Sequence, residues 1–226
     1  MSWTDSNILL TYSETTPCKE IFQAVCDELG KHYEKKGFKY SRSRPKLTYK
    51  DSSIKVEICF WSSGSNMPGK YVNLEIVPNF YSIFLSKAIK TKGFLFSHGG
   101  LFYHKYTNDT NRVKIRQIYG DEVEWIDVHG YQSRITDSNN CNIYGIDEFK
   151  FNKIVEFIDT KIIPWIEKIQ TEQGVIELTH DASDQRIASL DGKYGNSEFI
   201  RYVKTTFPTI DIENRLMNKT LSKPST

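Results

Sequence analysis

At 226 residues the chain is within what one hydrophobic core can hold together, and its 13 Tyr, 13 Phe and 4 Trp supply bulky side chains for that core. Thirty basic against 28 acidic residues leave a net charge of +2, which argues against a surface built throughout to hold nucleic acid or anionic membrane. No apolar run reaches the roughly 18 residues of a membrane span, the N-terminus lacks a signal-peptide pattern, and no two of the four cysteines have the spacing of a compact zinc or redox motif. A cytoplasmic protein with reduced thiols is the expectation.

The first helix is expected to start at Thr16-Pro17, with Thr16 as the cap. Ile21, Phe22, Val25, Leu29 and His32 or Tyr33 then recur at helical spacing until Gly37. Beyond it the period changes to two. Ile54, Val56, Ile58 and Phe60 alternate with Lys55, Glu57, Cys59 and Trp61, and Val72, Leu74 and Ile76 alternate with polar neighbours, so two half-buried strands flank the loop SSGSNMPG. A further strand at Lys46 to Lys50 completes an antiparallel meander.

Residues 81–92 read as a short helix with Ile83, Phe84, Ala88 and Leu85 inward, and a strand is expected at Leu101 to Tyr106. In NRVKIRQIYGDEVEWIDVHG a turn at Tyr119 to Glu122 sets Ile118 opposite Val123, Lys114 opposite Asp127 and Arg116 opposite Trp125. Asp147 caps a long helix through Ile169 that Pro164 must kink or break. Further helices are expected near Asp184 to Leu190 and at Ser197 to Phe207.

The elements define an α+β fold: a mostly antiparallel meander packed by an N-terminal helix and a long C-terminal helix. Residues 1–174 form the main domain, 175–213 a helical appendage and 214–226 a polar tail expected to be disordered.

Two charged constellations stand out. Residues 31–50 carry eight cations against the single acid Glu34, with Tyr33, Phe38, Tyr40 and Tyr49 between them. Lys39, Tyr40, Arg42, Arg44 and Lys46 would be the nucleic-acid contacts, cations for phosphate and rings for bases; the plainer alternative is a solvated helix end and a charged edge strand. The second constellation is Tyr119, Asp121, Glu122, Glu124, Trp125 and Asp127, an acidic patch with aromatic anchors suited to a basic protein partner, or simply to hairpin solubility.

Catalytic and metal patterns are weaker. His104, Asp127 and His129 can be drawn as a metal site, but their spacing does not require one. Asp51 and Glu57 lack the lysine of an acid-x-Lys nuclease pair, while Asp191 and Lys193 have that spacing in a Gly-rich turn. Neither a nucleophile elbow nor a phosphate loop is present, Lys70 being followed by Tyr71. No cofactor is implied.

The first helix ending in GFKY, a basic link, a strand ending in FW and the strand YVNLEIV, together residues 18–80, resemble a group of small bacterial domains of unknown function, several of them encoded near toxin systems. The order also looks like that of α+β immunity proteins of contact-dependent and other polymorphic toxins. That resemblance implies a non-enzymatic binder that neutralises a toxin by covering its working surface; if the target is a nuclease, a basic toxin domain, contact is expected at the acidic hairpin Asp121 to Asp127. The alternative is a nucleic-acid-binding or nuclease-like component acting through residues 31–50.

Overall fold

The computed structural model describes residues 7–88, 90, 92–97, 105–106, 112–126, 139–180 and 197–215. Helix α1, Cys18–Glu34, buries Ile21, Val25, Leu29 and Tyr33 on the face that the spacing predicts. Pro17 takes the cap position with no side-chain hydrogen bond, and Thr16 Oγ1 instead accepts from the Ser13 amide at 2.9 Å. At the other end Gly37 adopts φ 85°, which lets the Phe38 amide turn back to the Tyr33 carbonyl at 3.1 Å.

The expected meander is present and enlarged. Strands β1 (Lys39–Ser41), β2 (Lys46–Lys50), β3 (Ile54–Trp61) and β4 (Asn73–Ser82) pair antiparallel in chain order. The outer edge of β4 is shared, with β5 (Phe94–Ser97) pairing residues 79–81 and β9 (Asn140–Asn142) pairing residues 73–75, for six strands in all. Between those two partners lies Pro78. The amides of Ile76 and Ser82, of the same parity, point to that outer side, so the amide Pro78 lacks falls in the gap between β9 and β5 and no ladder bond is lost there.

Because β4 runs through Pro78, Tyr81 belongs to the sheet and not to a helix. The helix α2 is confined to Ile83–Ala88, with Leu85 buried and Phe84 outward, opposite to the expected inward Phe84 and Ala88.

Alternation gives the sheet one apolar face, where Leu47, Val56, Ile58, Phe60, Ile76 and Phe80 are buried beneath the helices. The long C-terminal helix is interrupted where Pro164 requires it. Helix α3 (Glu148–Phe157) passes through a π-turn at Ile158–Ile162 into α4 (Ile163–Lys168), and the wider turn relieves the carbonyl that the proline ring would otherwise meet. Trp165 reaches Phe80 with ring centroids 6.3 Å apart. Helices α5 (Glu172–His180) and α6 (Ser197–Thr206) send Val175, Leu178, Phe199, Tyr202 and Val203 into the same core, and Tyr202 Oη donates to the Ile169 carbonyl at 2.9 Å.

A second sheet holds β6 (Lys105–Tyr106), β7 (Arg112–Arg116) and β8 (Glu122–Ile126). The β7–β8 register differs from the expected one by three residues: Arg112 opposes Ile126, Lys114 opposes Glu124 and Arg116 opposes Glu122. Ile118 causes the shift. Its amide bonds the Asn140 carbonyl at 3.1 Å and its side chain joins the main core with Tyr119, so β7 stops at Arg116 and residues 117–121 form a wider loop around Gly120, at φ 90°. The helix expected at 184–190, the strand residues 101–104 and the tail from 216 lie outside the described residues.

Candidate functional site

Strand alternation that buries one sheet face must present the other. On β3 the presented residues are Lys55, Glu57, Cys59 and Trp61; pairing sets Lys46, Thr48 and Lys50 of β2 beside them on one side, and Glu75, Val77, Asn79 and Tyr81 of β4 on the other. Helices cover the opposite face, and among the described residues none of these strand side chains is buried.

Its centre is Glu57. The carboxylate accepts from Lys46 Nζ at 2.8 Å, from Lys55 Nζ at 3.4 Å and from Tyr81 Oη at 3.4 Å. Burial pushes the Glu57 carboxyl up, but the hydrogen bond from Lys46 and the charge of Lys55 outweigh it and leave it below its ordinary value. Lys55 also lies over the Tyr81 ring, 4.1 Å from its centroid, and Phe94 meets that ring edge-on at 5.6 Å. Burial and the Glu57 charge push the Tyr81 phenol up to about 12.

At the far end of β3 Trp61 is 60% exposed, opposite Glu75. Six residues of strand separate it from Lys55, about 20 Å. Cys59, between them, has its thiol raised by burial and by Glu57, with Asn79 Nδ2 donating to Sγ at 3.5 Å. Burial and the neighbouring carboxylate both disfavour the thiolate there.

The basic segment is largely committed to its own protein. Lys31 pairs with Glu28 at 2.6 Å, Lys36 with Asp159 at 2.7 Å, Arg42 with Asp27 at 3.0 Å and Lys46 with Glu57. Tyr40 is committed too. Its hydroxyl donates to Asp27 Oδ1 at 2.8 Å and accepts from Gln23 Nε2 at 3.1 Å, and its ring lies so close to α1 that a Cβ on Gly30 would sit 2.5 Å from two ring carbons. Lys39 and Arg44 are exposed and, among the described residues, form no ion pair.

The acidic hairpin is also changed by its surroundings. The Tyr119 hydroxyl is buried beside the Cys141 thiol, which burial pushes up to about 12, so Tyr119 packs as core and not as an exposed anchor. Asp121 is exposed in the loop. Glu122, Glu124 and Trp125 occupy β8, where the register sets both acids opposite cations of β7. Asp127 lies outside the described residues, as do His104, His129, Asp191 and Lys193.

Asp51 serves the β2–β3 turn, accepting from the Ser53 and Ile54 amides at 2.7 and 2.9 Å. Burial raises its carboxyl and those two amides more than offset the rise. A recess of about 340 Å³ near the end of the described chain is lined by Glu172, Asp211 and Arg215 among others, with Thr209 Oγ1 donating to Glu172 at 2.6 Å; none of the sequence-derived candidates lines it. Among the described residues no cluster of His, Cys, Asp and Glu is placed to hold a metal, and no helix is long and apolar enough to cross a membrane.

The open face was only half legible. Alternation in β3 marks Lys55, Glu57 and Trp61 as outward, but Tyr81 was hidden because Pro78 reads as the end of a strand. Fold and face together define an antiparallel α+β domain with one side of its sheet unpartnered by the described elements. No family model, curated protein or solved structure matches the chain.

Proposed function

We propose that the chain is a non-enzymatic protein-binding module that neutralises a toxin in the cytoplasm, the role that the resemblance of residues 18–80 implies. The observation that carries the binding reading is the open sheet face, with Trp61 exposed at one end and the Lys46–Glu57–Lys55–Tyr81 cluster fixed at the other. An exposed tryptophan on a strand, opposite an acidic residue, has the composition of a protein interface anchor. A face of that kind works by coverage, which suits occlusion of a partner's working surface.

Nucleic-acid binding through residues 31–50 is less favoured, since half of its eight cations are held by the protein's own carboxylates and one side of the Tyr40 ring is packed against α1. Affinity capture from the native host with wild type and Trp61→Ala tests the protein-binding reading. Wild type is expected to retain a stoichiometric partner that is toxic when expressed alone and harmless when co-expressed, and Trp61→Ala to weaken it about tenfold or more. Capture of no partner, or equal retention by both baits, contradicts it.

A further inference from the structure

We propose that the partner docks a carboxylate-rich surface on the β1–β3 half of the open face, an inference that rests on the protein-binding reading and gives that partner its chemistry. Five cations gather there, Lys39 on β1, Arg44 in the β1–β2 turn, Lys46 and Lys50 on β2 and Lys55 on β3, against one carboxylate on these three strands, that of Glu57. Asp51, in the β2–β3 turn, is held by the Ser53 and Ile54 amides.

Lys46 and Lys55 share Glu57, so one positive charge of that trio is uncompensated. Lys50 stands directly opposite Lys55 in the register, a like-charge pair that disfavours the isolated sheet. Lys39, Arg44 and Lys50 are all exposed and form no ion pair among the described residues. Carboxylates supplied from outside would relieve this concentration of charge, and the attraction would speed encounter as well as hold the complex.

An anionic partner could also be single-stranded nucleic acid, but its bases need open ring faces. Tyr40 is pressed against Gly30, Tyr81 is covered by Lys55 and Phe94, and Trp61 lies beside Glu75, whose charge repels phosphate. The one exposed ring of this half among the described residues, Trp61, stands opposite an acid, which favours an acidic protein surface over nucleic acid.

The test titrates purified full-length protein against fluorescent poly-L-glutamate and against a single-stranded oligothymidylate, at low and moderate salt. The variants are Lys39→Glu/Arg44→Glu/Lys50→Glu, the milder Lys39→Gln/Arg44→Gln/Lys50→Gln, and Lys153→Glu on α3 as a control, each checked by thermal melting. Saturable polyglutamate binding that both triple variants weaken, the charge reversal by about tenfold or more, with the control unchanged and oligothymidylate weaker, is the expected result. Polyglutamate binding that is absent, or equal in all proteins, overturns the proposal. Tighter oligothymidylate binding through the same three residues overturns it in favour of nucleic acid. Failure here beside a successful host capture removes only the acidic chemistry, whereas a failed capture removes the parent reading.

Discussion

Tyr40 illustrates how a residue's neighbours decide its role. In sequence it stands among cations as a candidate stacking ring, yet its hydroxyl partner Asp27 is 13 residues upstream, on a helix whose glycine leaves room for the ring. Gly30→Ala is therefore expected to cost about 1 to 3 kcal/mol, because the new methyl meets the rigid ring rather than a movable side-chain tip; chemical denaturation measures it. Glu57 carries a pH signature at the same scale. Its folded carboxyl is held below the ordinary value of 4.5, so its ionised form stabilises the fold above that value and the contribution is lost as pH falls through the lower folded one. The stability gap between wild type and Glu57→Gln should be present at pH 7 and close on acidification. A gap that persists in acid would mean the carboxylate's charge is not what Lys46 and Lys55 stabilise.

Elements were more legible than their ends. The period-two run of β3 and the helical run of α1 give the right faces because one side of each must be buried, and Pro164 announces the interruption of the C-terminal helix. What sequence could not reveal is the form of the interruption. The π-turn brings Asp159 to Tyr33, whose hydroxyl donates to its carboxylate at 3.0 Å, while Lys36 pairs with the other oxygen. Burial and the Asp159 charge keep the Tyr33 phenol protonated far above its usual range. Tyr33→Phe should cost about 1 kcal/mol and Lys36→Ala less, since the lysine pair is half exposed; equilibrium unfolding of the two variants compares them. The β7–β8 register escaped for a related reason: local pairing of Ile118 with Val123 competes with a core that lies outside the hairpin, and the core prevails.

At the scale of the molecule, apolar side chains from residues 9 to 212 join one core, in which the C-terminal helices take part. Phe199, 1% exposed, should on substitution by Ala lower the midpoint of a single unfolding transition by the equivalent of about 3 to 5 kcal/mol, with fluorescence and circular dichroism tracing the same curve. Two separate transitions would make the C-terminal helices an independent unit. The helices bury one sheet face, the proposal gives the other to the partner, and hydroxyl-radical footprinting of the free and partner-bound protein tests that division most directly. Oxidation of Trp61 should fall on binding while that of Phe149, 68% exposed on the helical side, stays unchanged. Unchanged Trp61 with protection confined to residues 112–126 would place the interface on the acidic hairpin and contradict the account.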